Sequence, residues 1–211
     1  MTNIAGMERY CKEVPNSYWA RPILGDTTKL DEIPMDPIDI VVTSPPYGDS
    51  RTTVAYGQFS RLSSQWLGLE ECESVDKESL GGIPTKTLQH SLPSKALNEA
   101  IQLISEADEH RAKDVLSFYI DLNKALIEID KAVKRGGVMC FVMGNRSVKG
   151  IRLPTDLVLV ELLTNLGYEH LTTIVRSIPS KTMPLRNSPS NIAGKVSDTM
   201  HRENIVIMRK E

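Results

Sequence analysis

Short apolar runs alternate with longer segments of helical spacing after residue 37, and they predict strands and helices in turn. Residues 38–43 are rich in β-branched side chains and stop at two prolines, which is typical of a buried strand. Residues 138–143 are uninterrupted apolar, as a strand covered on both faces of a parallel sheet would be. Further strands are predicted around residues 171–176 and over residues 204–208.

Apolar residues recur at helical spacing between these strands. From Lys95 onward the spacing predicts a helix that ends at Gly136-Gly137. A second helix begins near Pro154 and is capped by Gly167. The order strand, helix, strand, helix, strand predicts an α/β fold with a mainly parallel sheet.

Other stretches lack a clear period. Residues 1–20 are predicted to be a lead-in of loop with at most one helical turn, and residues 177–202 a long polar loop. An acidic patch and turn residues indicate a variable loop and helical insertion. We therefore expect a single domain over residues 1–211 with this insertion at about 69–112.

Composition narrows the class of protein. The chain has 211 residues, of which 40% are hydrophobic and 25% charged, which excludes fibrous and wholly disordered classes. No run approaches the roughly 20 apolar residues of a membrane span, and the N-terminus lacks a signal-peptide stretch, so we expect a cytoplasmic protein. The three cysteines are odd in number and lack the spacing of metal ligands, so we predict reduced thiols. The four histidines are scattered along the chain, so we predict no metal site.

The formal charge of −2 hides an uneven distribution. Residues 1–133 carry 13 basic and 21 acidic side chains, whereas residues 134–211 carry 12 basic and 6 acidic ones. The basic C-terminal third suits an anionic partner, although a solvated surface explains the same charge equally well.

A Ser-Pro-Pro-Tyr segment over residues 44–47, called the proline motif below, follows the first predicted strand, where ligands of α/β sheets gather. Its prolines lack N–H donors, so the carbonyl of Pro45 can accept from a ligand beside the hydroxyl of Ser44, while Pro46 holds the turn. Two such acceptors can bind both N–H groups of an exocyclic base amine and release its lone pair for attack on a methyl group. The ring of Tyr47 can stack on a flipped base.

Residues 43–47, Thr-Ser-Pro-Pro-Tyr, resemble the catalytic motif of the amino-methylating DNA methyltransferases, in the version most often associated with cytosine N4. The pair Gly25-Asp26 is similar to the segment of that family near the adenosine of S-adenosylmethionine, and residues 136–145 and 203–210 resemble later elements of the family. The resemblance implies a Rossmann-like methyltransferase fold with an antiparallel C-terminal strand, a DNA substrate and S-adenosylmethionine as cofactor. It also implies a restriction-modification system in a prokaryotic cytoplasm, at the nucleoid.

The glycine-rich loop of this family, usually Phe-x-Gly-x-Gly after the first strand, is absent from the sequence. The 20 residues before Arg21 are too few and too polar to supply the missing strands. We therefore expect a partial fold that lacks the first strands of the full domain and leaves residues 38–42 as an edge that something must cover. Our hypothesis is a split enzyme, in which a second polypeptide carries the glycine-rich half and shares or supplies the cofactor. A truncated, inactive copy would explain the same absence.

Further candidates for contact with DNA lie beside the motif and near strand ends. Asp49 and Arg51 follow the motif, and Asn145 and Arg146 end a predicted strand. The long polar loop adds three basic candidates, Lys181, Arg186 and Lys195. The alternative for each group is a structural or solvated polar residue.

Rival functions remain open at the level of the sequence. Adenine N6, in DNA or in RNA, presents the same two N–H groups to the motif as cytosine N4 does. A catalytically silent DNA-binding or regulatory subunit would keep the fold and the basic loop. The absence of a Pro-Cys dipeptide agrees with direct methylation of an amine, because carbon-5 methylation of cytosine needs a thiolate nucleophile.

Overall fold

The chain folds around a four-stranded sheet in a computed structural model that describes residues 2–13, 21–23, 25–32, 36–47, 56–68, 74–177, 186–187, 197–198 and 202–211. The strands of this sheet are β1 (Ile38–Thr43), β2 (Val133–Met143), β5 (Tyr168–Ser177) and β8 (Arg202–Lys210). Two hairpins pair β3 (Ser147–Val148) with β4 (Ile151–Arg152) and β6 (Arg186–Asn187) with β7 (Ser197–Asp198).

The order of strands in the main sheet is β1-β2-β8-β5. β1 pairs in parallel with β2, whereas β8 pairs antiparallel with both β2 and β5. β1, β2 and β5 therefore run in one direction, and β8 lies between two of them in the opposite direction. This arrangement confirms the predicted α/β class, the partial Rossmann-like sheet and the antiparallel C-terminal strand.

Helices occupy most of the remaining described residues. They are α1 (Thr2–Glu13), a 3₁₀ helix (Thr27–Glu32), α2 (Tyr56–Trp66), α3 (Val75–Glu78), α4 (Lys95–Ala107), α5 (Glu109–Ala132) and α6 (Thr155–Asn165). None of these helices is long and apolar enough to cross a membrane.

Two helices form where the sequence predicts one. Asp108 has an extended backbone that ends α4, and its carboxylate accepts a hydrogen bond of 3.0 Å from the N–H of Arg111 at the start of α5. α5 also ends before the predicted stop, so that Gly136 and Gly137 lie within β2. Gly136 has a φ of 77°, and a Cβ at Gly137 would lie 2.7 Å from the nearest side-chain atom, so both positions favour glycine.

Two predicted loops contain regular structure. Residues 2–13 form α1, in which Ile4, Met7 and Tyr10 are exposed. The prediction of a loop there was wrong. The long polar loop contains the hairpin of β6 and β7, in which Arg186 lies opposite Asp198.

One face of the sheet carries the core. Met139, Phe141 and Met143 alternate along β2 and are fully buried in one cluster with side chains of α4, α5 and α6. Val206 and Met208 of β8 lie on the same face, directly opposite Phe141 and Met139 in the antiparallel register. α4 belongs to this core although it falls within the predicted insertion, whose boundaries stay a prediction.

The opposite face, called the bare face below, is apolar but lies outside the core cluster. Ile40 and Val42 of β1 point to it and are 57% and 68% exposed. Ile174 of β5, opposite Ile205, lies on this face and is 49% exposed. Other apolar side chains of this face are partly buried, and they are Val138, Cys140, Val142, Ile205 and Ile207. Among the described residues, β1 pairs only with β2 and forms an edge of the sheet. The described part of the chain therefore covers one face of the sheet and leaves the other exposed.

Adjacent positions of β1 allow a matched test of the two faces. Val41→Asp places a carboxylate against the core, so we expect it to lower the free energy of unfolding by about 3 kcal/mol or more. Val42→Asp places the same group on the bare face, where Val42 is 68% exposed, and should lower the free energy of unfolding by about 1 kcal/mol or less. The two variants are matched because the loss of strand propensity is the same in both. Urea denaturation of both variants measures the difference. Equal losses would mean that the second face is covered as well.

Candidate active site

The proline motif begins directly after the last residue of β1. Thr43 lies opposite Phe141 in the parallel register, so the motif lies at the edge where β2 also ends. Ser44 is exposed, whereas Pro45, Pro46 and Tyr47 are half-buried. The pattern of burial fixes the turn against the protein and leaves the serine hydroxyl accessible to a substrate.

The tyrosine of the motif is held at its hydroxyl group by residues of β8 and β5. The hydroxyl of Tyr47 donates a hydrogen bond of 2.9 Å to Oε1 of Glu203 on β8. The other carboxylate oxygen accepts from the guanidinium of Arg176 on β5, with Nε at 3.2 Å. Arg176 and Glu203 lie directly opposite each other in the register of β5 and β8. These contacts join the end of β1 to the two strands beyond β2.

Electrostatics favour one protonation state in this group. The hydrogen bond from Arg176 lowers the pKa of Glu203 below its ordinary value, so the carboxylate is ionised at neutral pH. Partial burial raises the pKa of Tyr47, and the neighbouring carboxylate raises it further. The neighbouring side chain of Ser44 acts in the opposite direction on that pKa. Tyr47 is therefore a neutral phenol that donates a hydrogen bond to an ionised carboxylate.

Asn145 lies at the same edge, but its amide is engaged in the fold. Its Nδ2 donates to Oδ1 of Asp156 at 2.8 Å, and its Oδ1 accepts from the Asp156 N–H at 3.2 Å, at the first turn of α6. Oδ2 of Asp156 accepts a further bond of 2.8 Å from the side chain of Asn204. We therefore interpret Asn145 as a clamp on α6, and its contact with DNA stays a prediction. Arg146 follows it, half-buried, just before β3.

Gly25 and Asp26, the predicted cofactor residues, are exposed at the start of the 3₁₀ helix. Oδ1 of Asp26 accepts from the backbone N–H of Thr28 at 2.9 Å and from its hydroxyl at 2.8 Å. These bonds lower the pKa of Asp26, so its carboxylate is ionised. The 3₁₀ helix packs against α5.

Several candidate residues lie outside the described residues, and they are Asp49, Arg51, Lys181 and Lys195. The backbone of Arg186 begins β6. Within the described ranges, no group of three or more His, Cys, Asp or Glu side chains could hold a metal ion.

Sequence reasoning did not select Glu203, Arg176 or Asp156 for the site. The sequence does contain a signal for Arg176 and Glu203. A basic residue ends the predicted strand before the long loop, and an acidic residue directly follows the loop, at the start of the last predicted strand. The signal becomes informative only when the two strands are known to pair. Asp156 has a weaker signal, an acidic residue in the first turn of a helix.

Comparison with known proteins gives a clear relative, although no protein-family model matches the chain. The chain is 43% identical over 189 residues to the type II methyltransferase M.MvaI of Kocuria varians. The chain belongs to the DNA methyltransferase family. This match covers 85% of the chain and 42% of M.MvaI, so the chain spans less than half the length of that methyltransferase.

Solved methyltransferase structures resemble the chain at lower identity. TTHA0409 of Thermus thermophilus, named as a DNA modification methylase, is 18% identical, with a TM-score of 0.46 over 89% of this chain and 52% of its own. Its complex with S-adenosyl-L-methionine is 19% identical, with a TM-score of 0.43 over 89% of this chain and 54% of its own.

The structural role of Asn145 can be tested by its effect on stability. Asn145→Ala removes a hydrogen-bond acceptor at the N-terminus of α6 and a donor to Asp156, so the free energy of unfolding should fall by about 1–2 kcal/mol. Asn98→Ala is a matched control, because Asn98 is exposed in α4 and alanine favours the helix. Urea denaturation measures both variants. If Asn145→Ala is as stable as the control, the clamp contributes nothing to the fold.

Proposed function

We propose that the chain is the base-binding, catalytic-motif subunit of a site-specific DNA methyltransferase that acts on an exocyclic base amine. The favoured target is N4 of a flipped-out cytosine, within a restriction-modification system. The observation that carries the proposal is the placement of the proline motif at the shared edge of β1 and β2, with Tyr47 held by Glu203. The identity to M.MvaI, a type II methyltransferase, supports the same conclusion.

The chemistry follows from the acceptors of the motif. The lone pair of an exocyclic amine is delocalised into the base and is a poor nucleophile. The hydroxyl of Ser44 and the carbonyl of Pro45 accept the two N–H bonds, which draws the nitrogen toward a tetrahedral geometry and localises the lone pair. With the methyl donor bound, the nitrogen would form a bond to the methyl carbon as the bond from that carbon to the donor's sulfonium sulfur breaks, the sulfur would keep the electron pair, and the nitrogen would lose one proton to solvent. Tyr47 stacks on the flipped base, and a stack of this kind is worth about 1–3 kcal/mol.

S-adenosylmethionine supplies the methyl group when it is bound. Gly25 and Asp26 would contact its adenosine, and their exposure fits that role. The methionine end needs a close approach to backbone without side chains, but the sequence contains no Phe-x-Gly-x-Gly loop. We place that part of the site on a second polypeptide, which gives a split enzyme and a heterodimer.

The surfaces of the sheet support a split enzyme. Parallel strands are ordinarily covered on both faces, and a long apolar edge promotes aggregation when nothing pairs with it. In the described residues, β1 has a partner strand on one side only, and its own side chains Ile40 and Val42 are exposed. A second polypeptide that adds a strand to β1 and a helix over the bare face would satisfy both requirements.

Removal of the Ser44 hydroxyl tests the catalytic motif. The assay uses the chain produced together with the part of M.MvaI that it does not span, as a second polypeptide. Ser44→Ala should lower kcat by about 100-fold, because one of the two acceptors for the amine is lost. Ser105→Ala, at a half-buried position of α4 where the hydroxyl donates to the Gln102 carbonyl at 2.7 Å, is the matched control and should keep full activity. Digestion of the methylated DNA to nucleosides identifies the product.

Each rival function predicts a different result in this assay. A digest in which N6-methyladenine is the sole methylated nucleoside would replace cytosine with adenine as the target. Preference for structured RNA over duplex DNA would favour an RNA methyltransferase. Full activity of Ser44→Ala would show that the motif is not catalytic. DNA binding without any methyl transfer would favour a silent regulatory subunit or an inactive copy.

Calorimetric titration of S-adenosylmethionine tests the division of the cofactor site. The isolated, folded chain should give no heat of binding, and the two-chain mixture should give a one-site isotherm. Val42→Asp should abolish that isotherm because it places a charge on the bare face, whereas Leu103→Asp, on an exposed position of α4, should not. A one-site isotherm with the isolated chain would refute the split enzyme.

A further inference from the structure

A continuous set of hydrogen bonds joins the proline motif to two charged residues that lie far from it in sequence. The hydroxyl of Tyr47 donates to Oε1 of Glu203 at 2.9 Å. Arg176 donates to Oε2 of the same carboxylate, with Nε at 3.2 Å. Within the described residues, each oxygen of Glu203 therefore binds one residue, and these two residues come from opposite edges of the sheet.

We propose that Glu203 and Arg176 are positioning residues for base methylation, because they hold the hydroxyl end of Tyr47, the aromatic residue of the motif. In this arrangement Tyr47 presents a ring of fixed position to the base. The proposal deepens the proposed function and rests on it. It adds two residues that touch neither the base nor the cofactor.

The direction of the chain of bonds follows from the number of protons available. An ionised carboxylate only accepts, so the single O–H of Tyr47 points to Glu203. The single proton of the phenol is thereby engaged by Glu203, so it does not compete with the N–H groups of the amine for an acceptor.

Arg176 has a distinct part in this arrangement. The side chain of Glu203 is only 12% exposed, and a carboxylate with so little contact with water needs a charged partner to remain ionised. Arg176 lies opposite it in the register and is itself 58% exposed, so its own charge remains solvated. The prolines fix the backbone of the motif, and the hydrogen bond to Glu203 holds the hydroxyl end of Tyr47.

The first test uses the isolated chain and needs no activity. Tyrosine labelled with ¹³C at Cζ gives six NMR signals, and the signal of Tyr47 is the one lost in Tyr47→Phe. Glu203→Leu should shift this signal, because the phenol loses its acceptor. Arg209→Gln, at the far end of β8, should leave it in place. An unchanged Tyr47 signal in Glu203→Leu would overturn the proposal, because the bond would then be absent in solution.

The second test separates a positioning role from a structural one in the two-chain enzyme. Tyr47→Phe and Glu203→Leu should each lower kcat by about tenfold, with KM for DNA changed by less than about twofold. The double variant should be no slower than either single variant, because both remove the same bond. Glu203→Gln should recover most of the rate, since its amide oxygen still accepts. Losses that multiply, or a rate for Tyr47→Phe equal to that of the unmodified enzyme, would overturn the proposal.

The two proposals fail in different ways. If the unmodified two-chain enzyme transfers no methyl group to any DNA, the proposed function fails, and a shifted NMR signal then shows a structural bond alone. If the enzyme is active but Tyr47→Phe is equally active, the function stands and the positioning role is refuted. Tyr47→Phe preserves the buried ring, so this comparison holds even if Glu203→Leu does not fold.

Discussion

The parallel pairing of β1 with β2 is the constraint on which the candidate site depends. It places the end of β1 beside Phe141, which is fully buried, so the turn that follows starts from a rigid part of the core. The first proline can then hold its backbone at a defined point of the sheet edge. A short apolar strand therefore does two things: it anchors the motif and aligns it with the end of its neighbour. Loss of this register would move every group of the motif at once.

The sequence predicts the parts of the fold that depend on local pattern. The β-branched run of β1 and the apolar run of β2 are read directly, and so is the stop that two prolines impose on a strand. The break between α4 and α5 is harder to predict, because Asp108 interrupts an apolar periodicity that continues on both sides. Only its extended backbone, and the bond that its carboxylate accepts, show that one helix has become two.

Residues of the site that depend on strand order could not be predicted. Arg176 and Glu203 become neighbours because β8 inserts between β2 and β5, a topology that hydrophobic pattern does not specify. The clamp from Asn145 to Asp156 likewise requires the position of α6 over the sheet. In contrast, the proline motif was found from sequence because its chemistry is contained in four consecutive residues. A group of consecutive residues can be recognised in the sequence, whereas the residues of other strands that bind to it cannot.

The start of β8 connects the two faces of the sheet at the site. Consecutive residues of a strand point to opposite faces, so Glu203 and Asn204 lie on different sides. Asn204 is buried on the core side and binds Asp156 of α6, whereas Glu203 lies on the side of the bare face and binds Tyr47. The residues that hold the motif are therefore on the face that has no covering layer in the described residues. A layer added there would exclude water from the bond between Glu203 and Tyr47 and strengthen it. Completion of the sheet and alignment of the proline motif would then be one physical event.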